Sequence, residues 1–122
     1  MSQTMALKYG RRSIRLSLPD HAQRLDVEDP PMAVSPAMFA NDLEPWLASM
    51  PLSGSRIAVV VADKTRLCAY DHYLPVLLER LADHGARPDL VTLYIAYGTH
   101  PRQSDAESIT AYGDVFSQYR FV

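Results

Sequence analysis

The 122-residue chain holds one cysteine, Cys68. A single thiol excludes an intramolecular disulfide framework and a multi-cysteine zinc site within one chain. Long hydrophobic runs are missing too. The longest unbroken apolar run is Ile57 to Ala62, far short of the roughly 20 residues a membrane span needs. Residues 1–12 carry no apolar core of the secretory-signal kind. These absences predict a cytoplasmic protein without membrane contact. Positive charge is not in excess either: 12 Lys and Arg stand against 14 Asp and Glu, a formal −2. Nothing is left over to neutralise a phosphate backbone, so nucleic acid is not an expected partner. Neither G-x-G-x-x-G nor P-loop spacing occurs, which argues against a standard dinucleotide or triphosphate site. Internal repeats and low-complexity tracts are absent.

What is present is ordinary globular composition, 48% hydrophobic and 21% charged, which argues against disorder. One domain over 1–122 is expected. It comprises a hairpin and Pro-rich region, 1–50, and a core, 56–122. Met5, Leu7 and Tyr9, then Ile14, Leu16 and Leu18, alternate with polar or small residues at the two-residue period of strands. Gly10 to Arg12 lies between them and predicts a hairpin. Pro19-Asp20 ends it. A weaker third strand is expected at Gln23 to Val27, and an extended loop at Glu28 to Pro36. Residues 37–50 read as helix in pieces, interrupted at Pro45, with Trp46 and Leu47 as packing residues.

The core region is clearer. Ile57 to Ala62 is a β-branched run and predicts a strand covered on both faces. Leu74, Leu77, Leu78 and Leu81 recur at helical spacing. Asp71 is the expected cap, Pro75 is expected in the first turn, and Gly85 is the stop. Leu90 to Ala96 is a second apolar strand. Strand, helix and strand make a right-handed βαβ unit with a parallel pair. Ser104 to Glu107 is a capping box opening a helix to about Tyr112, closed by Gly113. Tyr119 to Val122 has strand character again. The fold class expected is α/β: a small, parallel, βαβ-based, Rossmann-like domain with an N-terminal β-hairpin.

Ligands of open α/β sheets bind at the carboxyl ends of the strands. Two such ends occur here, Asp63 to Arg66 and Gly98 to Arg102. If their strands are neighbours, both loops open on one edge. A carboxylate, Asp63, then shares a crevice with the ammonium of Lys64, the hydroxyls of Thr65 and Thr99, and the guanidiniums of Arg66 and Arg102. His100 joins them. Guanidinium groups grip carboxylates and phosphates with paired hydrogen bonds, and imidazole exchanges protons near neutral pH. This set suits a small anionic ligand. Plainer readings stand beside it. Asp63 and Thr65 serve equally as a turn cap, Arg66 as a solvated charge, and His100 as a turn residue before Pro101. His72 and His84 read as exposed helix-end residues. Cys68 lies near Lys64 and Arg66, where a thiolate could be stabilised, but no base adjoins it and it reads as an inert thiol.

The ordered set resembles the nickel-pincer lactate racemase family. The residues that carry the likeness are Tyr9-Gly10 leading into a strand that ends Leu18-Pro19, and the run Ile57 to Arg66 ending in Asp-x-Thr-Arg. Leu74-Pro75, Leu77-Leu78 and Gly85 continue it, as does the strand leading to Gly98-Thr99-His100. The resemblance runs from about Lys8 to Val122. It implies action on a small 2-hydroxy acid, as a racemase or epimerase. The hydride carrier would be a nickel-pincer mononucleotide, a pyridinium thioamide and thiocarboxylate. By that resemblance His100 is one of two acid/base histidines and Arg66 holds the substrate carboxylate. Asp63, Lys64, Thr65 and Arg66 line the cofactor pocket. Leu67 departs from the family, where proline follows the arginine.

The family's cofactor lysine, nickel-binding histidine and second catalytic histidine belong to regions beyond those matched here. The likeness is therefore to the N-terminal domain alone. No metal ligand is assigned within the chain, and no activity is expected from it in isolation. A separate C-terminal-domain chain is an implied partner. Two other readings stay open: a non-catalytic module for small anions, and a structural domain that associates. An exposed half-cleft predicts a homo-oligomer, formed by pairing of the final strand.

Overall fold

The computed structural model describes residues 3–23, 25, 27–28 and 32–122. The chain separates into two compact units, divided at Met32/Ala33.

The first unit is the hairpin. Strands β1 (Gln3–Tyr9) and β2 (Arg12–Leu18) pair antiparallel, with Tyr9 opposite Arg12. Two residues, Gly10 and Arg11, therefore make the turn. Gly10 has φ +57°, the left-handed conformation that the first position of a type II′ hairpin turn requires. The register sets Met5 opposite Leu16 and Leu7 opposite Ile14, one apolar row across the pair. Pro19 closes the unit with a turn, its carbonyl accepting from Ala22 N–H at 2.9 Å. Gln23, Leu25 and Val27 carry no strand, contrary to expectation. Arg24 and Asp26 of that segment lie outside the described residues, as do Pro30 and Pro31 of the expected loop.

The second unit is a parallel sheet with helices. Its first element, α1 (Pro36–Leu47), is capped by the Ser35 hydroxyl, which accepts from Met38 N–H. The helix is one piece. Pro45 falls in its last turns and removes only the donor toward Asn41, so it does not break the helix in two. Phe39, Leu43 and Leu47 recur four apart and face inward; Leu47 is fully buried, whereas Trp46, off that stripe, is 55% exposed.

Strand β3 (Ile57–Ala62) leads to α2 (Tyr70–Asp83), then β4 (Val91–Ala96). The helix starts earlier than the sequence suggests. Its cap position is Ala69, in the left-handed conformation at φ +48°, with no side-chain cap. Asp71 instead sits in the first turn, where a carboxylate suits the helix dipole, and Pro75 falls a turn deeper than expected. Gly85 ends α2 at φ +90°. Gly85 N–H donates to Ala82 and Ala86 N–H to Leu81, both at 2.9 Å, the double closure of a Schellman motif. A 3₁₀ turn, Pro88–Leu90, enters β4.

Helix α3 (Asp105–Tyr112) opens with the expected capping box, Ser104 and Glu107 bonding reciprocally. A short helix, α4 (Val115–Gln118), had no signal in the sequence analysis. Strand β5 (Arg120–Phe121) closes the sheet. The strand order is β3-β4-β5, all parallel, with Ala62 opposite Ala96 at one end. The expected α/β class is the observed one.

One face of the sheet is buried. Val61, Val91 and Leu93 pack with Leu47, Leu74, Leu78, Leu81, Tyr112 and Val115. The other face is open: Val60 is 70% exposed and Tyr94 43%. The expectation of two covered faces fails here. A β-branched run has the same composition whether one or both of its faces find a partner. Among the described residues no helix is long and apolar enough to cross a membrane.

Candidate functional site

Because β3 and β4 are parallel neighbours in flush register, the segments that follow Ala62 and Ala96 leave the sheet on the same rim. The first is Asp63 to Ala69. The second turns at Tyr97 to His100, where His100 N–H donates to the Tyr97 carbonyl at 3.0 Å.

Asp63 joins the two segments. It is 4% exposed and bonded through both oxygens. Oδ1 accepts from Thr65 N–H at 3.1 Å and from Thr65 Oγ1–H at 2.6 Å. Oδ2 lies 2.6 Å from His100 Nδ1. The Thr65 hydroxyl, then the His100 ring, hold the Asp63 carboxyl down at about 2, against the opposing effect of burial. The His100 side chain is 47% exposed.

Two tyrosines fix Ala62, the residue just before Asp63. Ala62 N–H donates to Tyr70 Oη at 2.7 Å, and the Ala62 carbonyl accepts from Tyr112 O–H at 2.8 Å. Tyr112 is fully buried, its ring packed against those of Tyr70, Phe116 and Phe121. Burial pushes its phenol up to about 12, while the Gln103 amide acts in the opposite direction. Burial also raises the Tyr70 phenol, with the neighbouring Cys68 thiol adding to the effect.

Lys64 is held at both ends. Its backbone N–H donates to Gln103 Oε1 at 2.9 Å, and Gln103 Nε2 donates to the buried Ser108 hydroxyl at 2.9 Å. Its ammonium pairs with Glu107. That cation, then the Ser104 N–H, lowers the Glu107 carboxyl. Lys64, Arg66, Leu67, Cys68 and Tyr70 on one side, with Glu107 and Ala111 of α3 on the other, line an open groove of about 700 Å³.

The structure therefore joins Asp63, Thr65 and His100 by direct bonds, and sets Lys64 and Arg66 along the adjoining groove. Arg66 is exposed and pairs with no carboxylate among the described residues. No hydrogen bond or ion pair among the described residues joins it to His100. Arg102 is likewise exposed. Cys68 is free and exposed. His72 is exposed, but His84 is only 21% exposed at its side chain and bonds Glu44 of α1 through Nε2 at 2.9 Å. The sequence reading missed Gln103, Tyr70 and Tyr112. Tyr70 carried no signal, Tyr112 marked only the end of a helix, and Gln103 had no signal beyond preceding the capping box.

The family model of the lactate racemase N-terminal domain matches residues 9–122. The chain belongs to that family. A search of curated proteins finds no match. Among solved structures, the lactate racemase apoprotein from Thermoanaerobacterium thermosaccharolyticum is similar, with 22% identity and a TM-score of 0.64. The match covers 98% of this chain and 30% of that one. At this identity the likeness shows a shared fold, and the chain spans less than a third of the solved relative. Among its described residues, no three His, Cys, Asp or Glu side chains cluster to hold a metal ion.

Proposed function

We propose that this domain supplies one wall of a 2-hydroxy-acid racemase or epimerase site. His100 transfers the hydroxyl proton at Nε2, and Arg66 grips the substrate carboxylate. The reading is carried by the Asp63–His100 bond, which ties the segment bearing Arg66 to the segment bearing the imidazole. An anion grip and a proton acceptor on one rim are the two groups that a 2-hydroxy acid demands.

The family's nickel-pincer mononucleotide fits these residues only in part. The groove offers the Arg66 guanidinium and apolar walls at Leu67, Ala69, Ala106 and Ala111, suited to a ring, while its Lys64 ammonium is engaged by Glu107 and Asp71 adds a second carboxylate. Among the described residues no three His, Cys, Asp or Glu side chains cluster, and no residue of this chain is assigned to the nickel. The chemistry such a cofactor supplies when bound is reversible acceptance of the C2 hydride. The residues of this chain bind the acid, orient it and move its hydroxyl proton.

Titration of the ¹⁵N-labelled chain with lactate and pyruvate tests the assignment. Saturable shifts centred on residues 63–66 and 97–102 are expected, with affinity lowered at least tenfold in Arg66→Ala. Equal affinity in that variant, or no saturable binding by the wild type, overturns it.

A second reading, self-association through the sheet, is favoured by the exposure of Val60 and Tyr94. Light scattering at micromolar concentration distinguishes a dimer from a monomer.

A further inference from the structure

We propose that Asp63 is a positioning residue that holds His100 as the Nδ1–H tautomer and leaves the Nε2 lone pair facing outward. This rests on the reading of His100 as the proton-transfer group. An ionised carboxylate can only accept hydrogen bonds. The 2.6 Å contact between Oδ2 and Nδ1 therefore requires the proton to reside on Nδ1. In the neutral ring, the lone pair is then on Nε2. No hydrogen bond from the described residues occupies that atom, and the side chain is half exposed.

The carboxylate has little freedom to do anything else. Its other oxygen is taken twice by Thr65, through Oγ1–H and N–H, which stops it rotating. The backbone behind it is pinned at both the N–H and the carbonyl of Ala62 by Tyr70 and Tyr112. Three contacts occupy a side chain that is 4% exposed. Such an acid is placed to orient a neighbour rather than to touch a ligand. Asp63 is thus separated in role from Lys64 and Arg66, which line the groove. Its negative charge also stands beside the cation that the ring becomes when it takes a proton.

Asn at this position makes a sharp test. Thr65 N–H is an obligatory donor and holds the Asn oxygen toward itself. The Asn amide nitrogen then faces His100 and donates to Nδ1, forcing the proton to Nε2. Long-range ¹H–¹⁵N correlation spectra of the full chain at neutral pH read the tautomer directly. The ring is assigned by loss of its signals in His100→Gln.

Wild type is expected to show the Nδ1–H pattern, and Asp63→Asn the inverted one with a dispersed, folded amide spectrum. A wild-type ring in the Nε2–H form overturns the proposal even if the Asn variant does not fold. So does a folded Asn variant whose ring keeps Nδ1–H. The outcome is separable from the proposed function. The expected tautomers without lactate or pyruvate binding sink the function and leave the positioning role. Binding through Arg66 with the wrong tautomer does the reverse.

Discussion

Replacing Tyr112 with Phe removes one oxygen and keeps a ring that is fully buried among Tyr70, Phe116 and Phe121. The lost group is the donor to the Ala62 carbonyl at 2.8 Å. With the fully buried ring still in place, water reaches that carbonyl poorly. The cost is then that of an abandoned buried acceptor, about 1–3 kcal/mol, rather than that of an exchanged surface bond. In a chain of this size each kcal/mol lowers the melting temperature by about 3–5 °C. Tyr70→Phe is the control. Tyr70 is half-buried and its oxygen accepts from Ala62 N–H, so water can replace it and the loss is smaller. Urea denaturation followed by far-UV circular dichroism measures both. The alkaline limb adds a second readout. Burial raises the Tyr112 phenol from 10 to about 12, so the folded state keeps a proton that the unfolded chain loses. Stability contributed by this group is complete below pH 10 and drains away as the pH rises toward 12. Tyr112→Phe flattens that part of the curve. A loss below about 0.5 kcal/mol at neutral pH, or a larger loss in Tyr70→Phe, refutes the argument for an enclosed carbonyl.

Three further outcomes are expected. Gly85→Ala costs about 1–2 kcal/mol by denaturation, because φ +90° is imposed on a residue with a Cβ. The added methyl meets only Ser53, at an ordinary 3.5 Å, so a much larger loss would point to a clash instead. Val60→Thr changes stability by less than about 0.5 kcal/mol, since that side chain is 70% exposed; a core-sized loss would show the sheet face to be covered. The Asp63 carboxyl lies at about 2 rather than 3.8, so its contribution is present above the ordinary carboxylate range and is lost as the pH falls through about 2. The stability gap between wild type and Asp63→Asn should therefore close in that acid window, and a gap that persists below it contradicts the assignment.

The features legible in the sequence are those written within a few residues. Gly10 between alternating strands, the Gly85 stop and the Ser104–Glu107 capping box each act through backbone groups close in the chain. The βαβ order followed from periodicity, and it placed Asp63 and His100 at strand ends. Their pairing was not legible, because it depends on β3 and β4 being neighbours in flush register. The start of α2 was misread because Ala69 adopts a conformation that an alanine does not advertise. Helix α1 was read as broken because a proline's effect depends on its distance from the helix end. The open sheet face escaped because hydrophobicity reports a wish to be buried, not the presence of a partner. The boundary between units lies at Met32/Ala33 rather than near Pro51 to Ser55, since α1 packs on α2 through Phe39 and Tyr73 and through Glu44 and His84.

The flush ends of β3 and β4 make spacing a functional quantity. A single residue inserted within Ile57–Ala62 would shift the phase of everything downstream in that strand, exchanging the inward valines for the outward ones and lifting the aspartate one step away from its imidazole. The same insertion at the exposed Ser53–Gly54 turn, past the buried Leu52, would be absorbed before the ladder begins. Length tolerance along this chain should therefore change within three residues, from permissive at Gly54 to forbidding at Ile57.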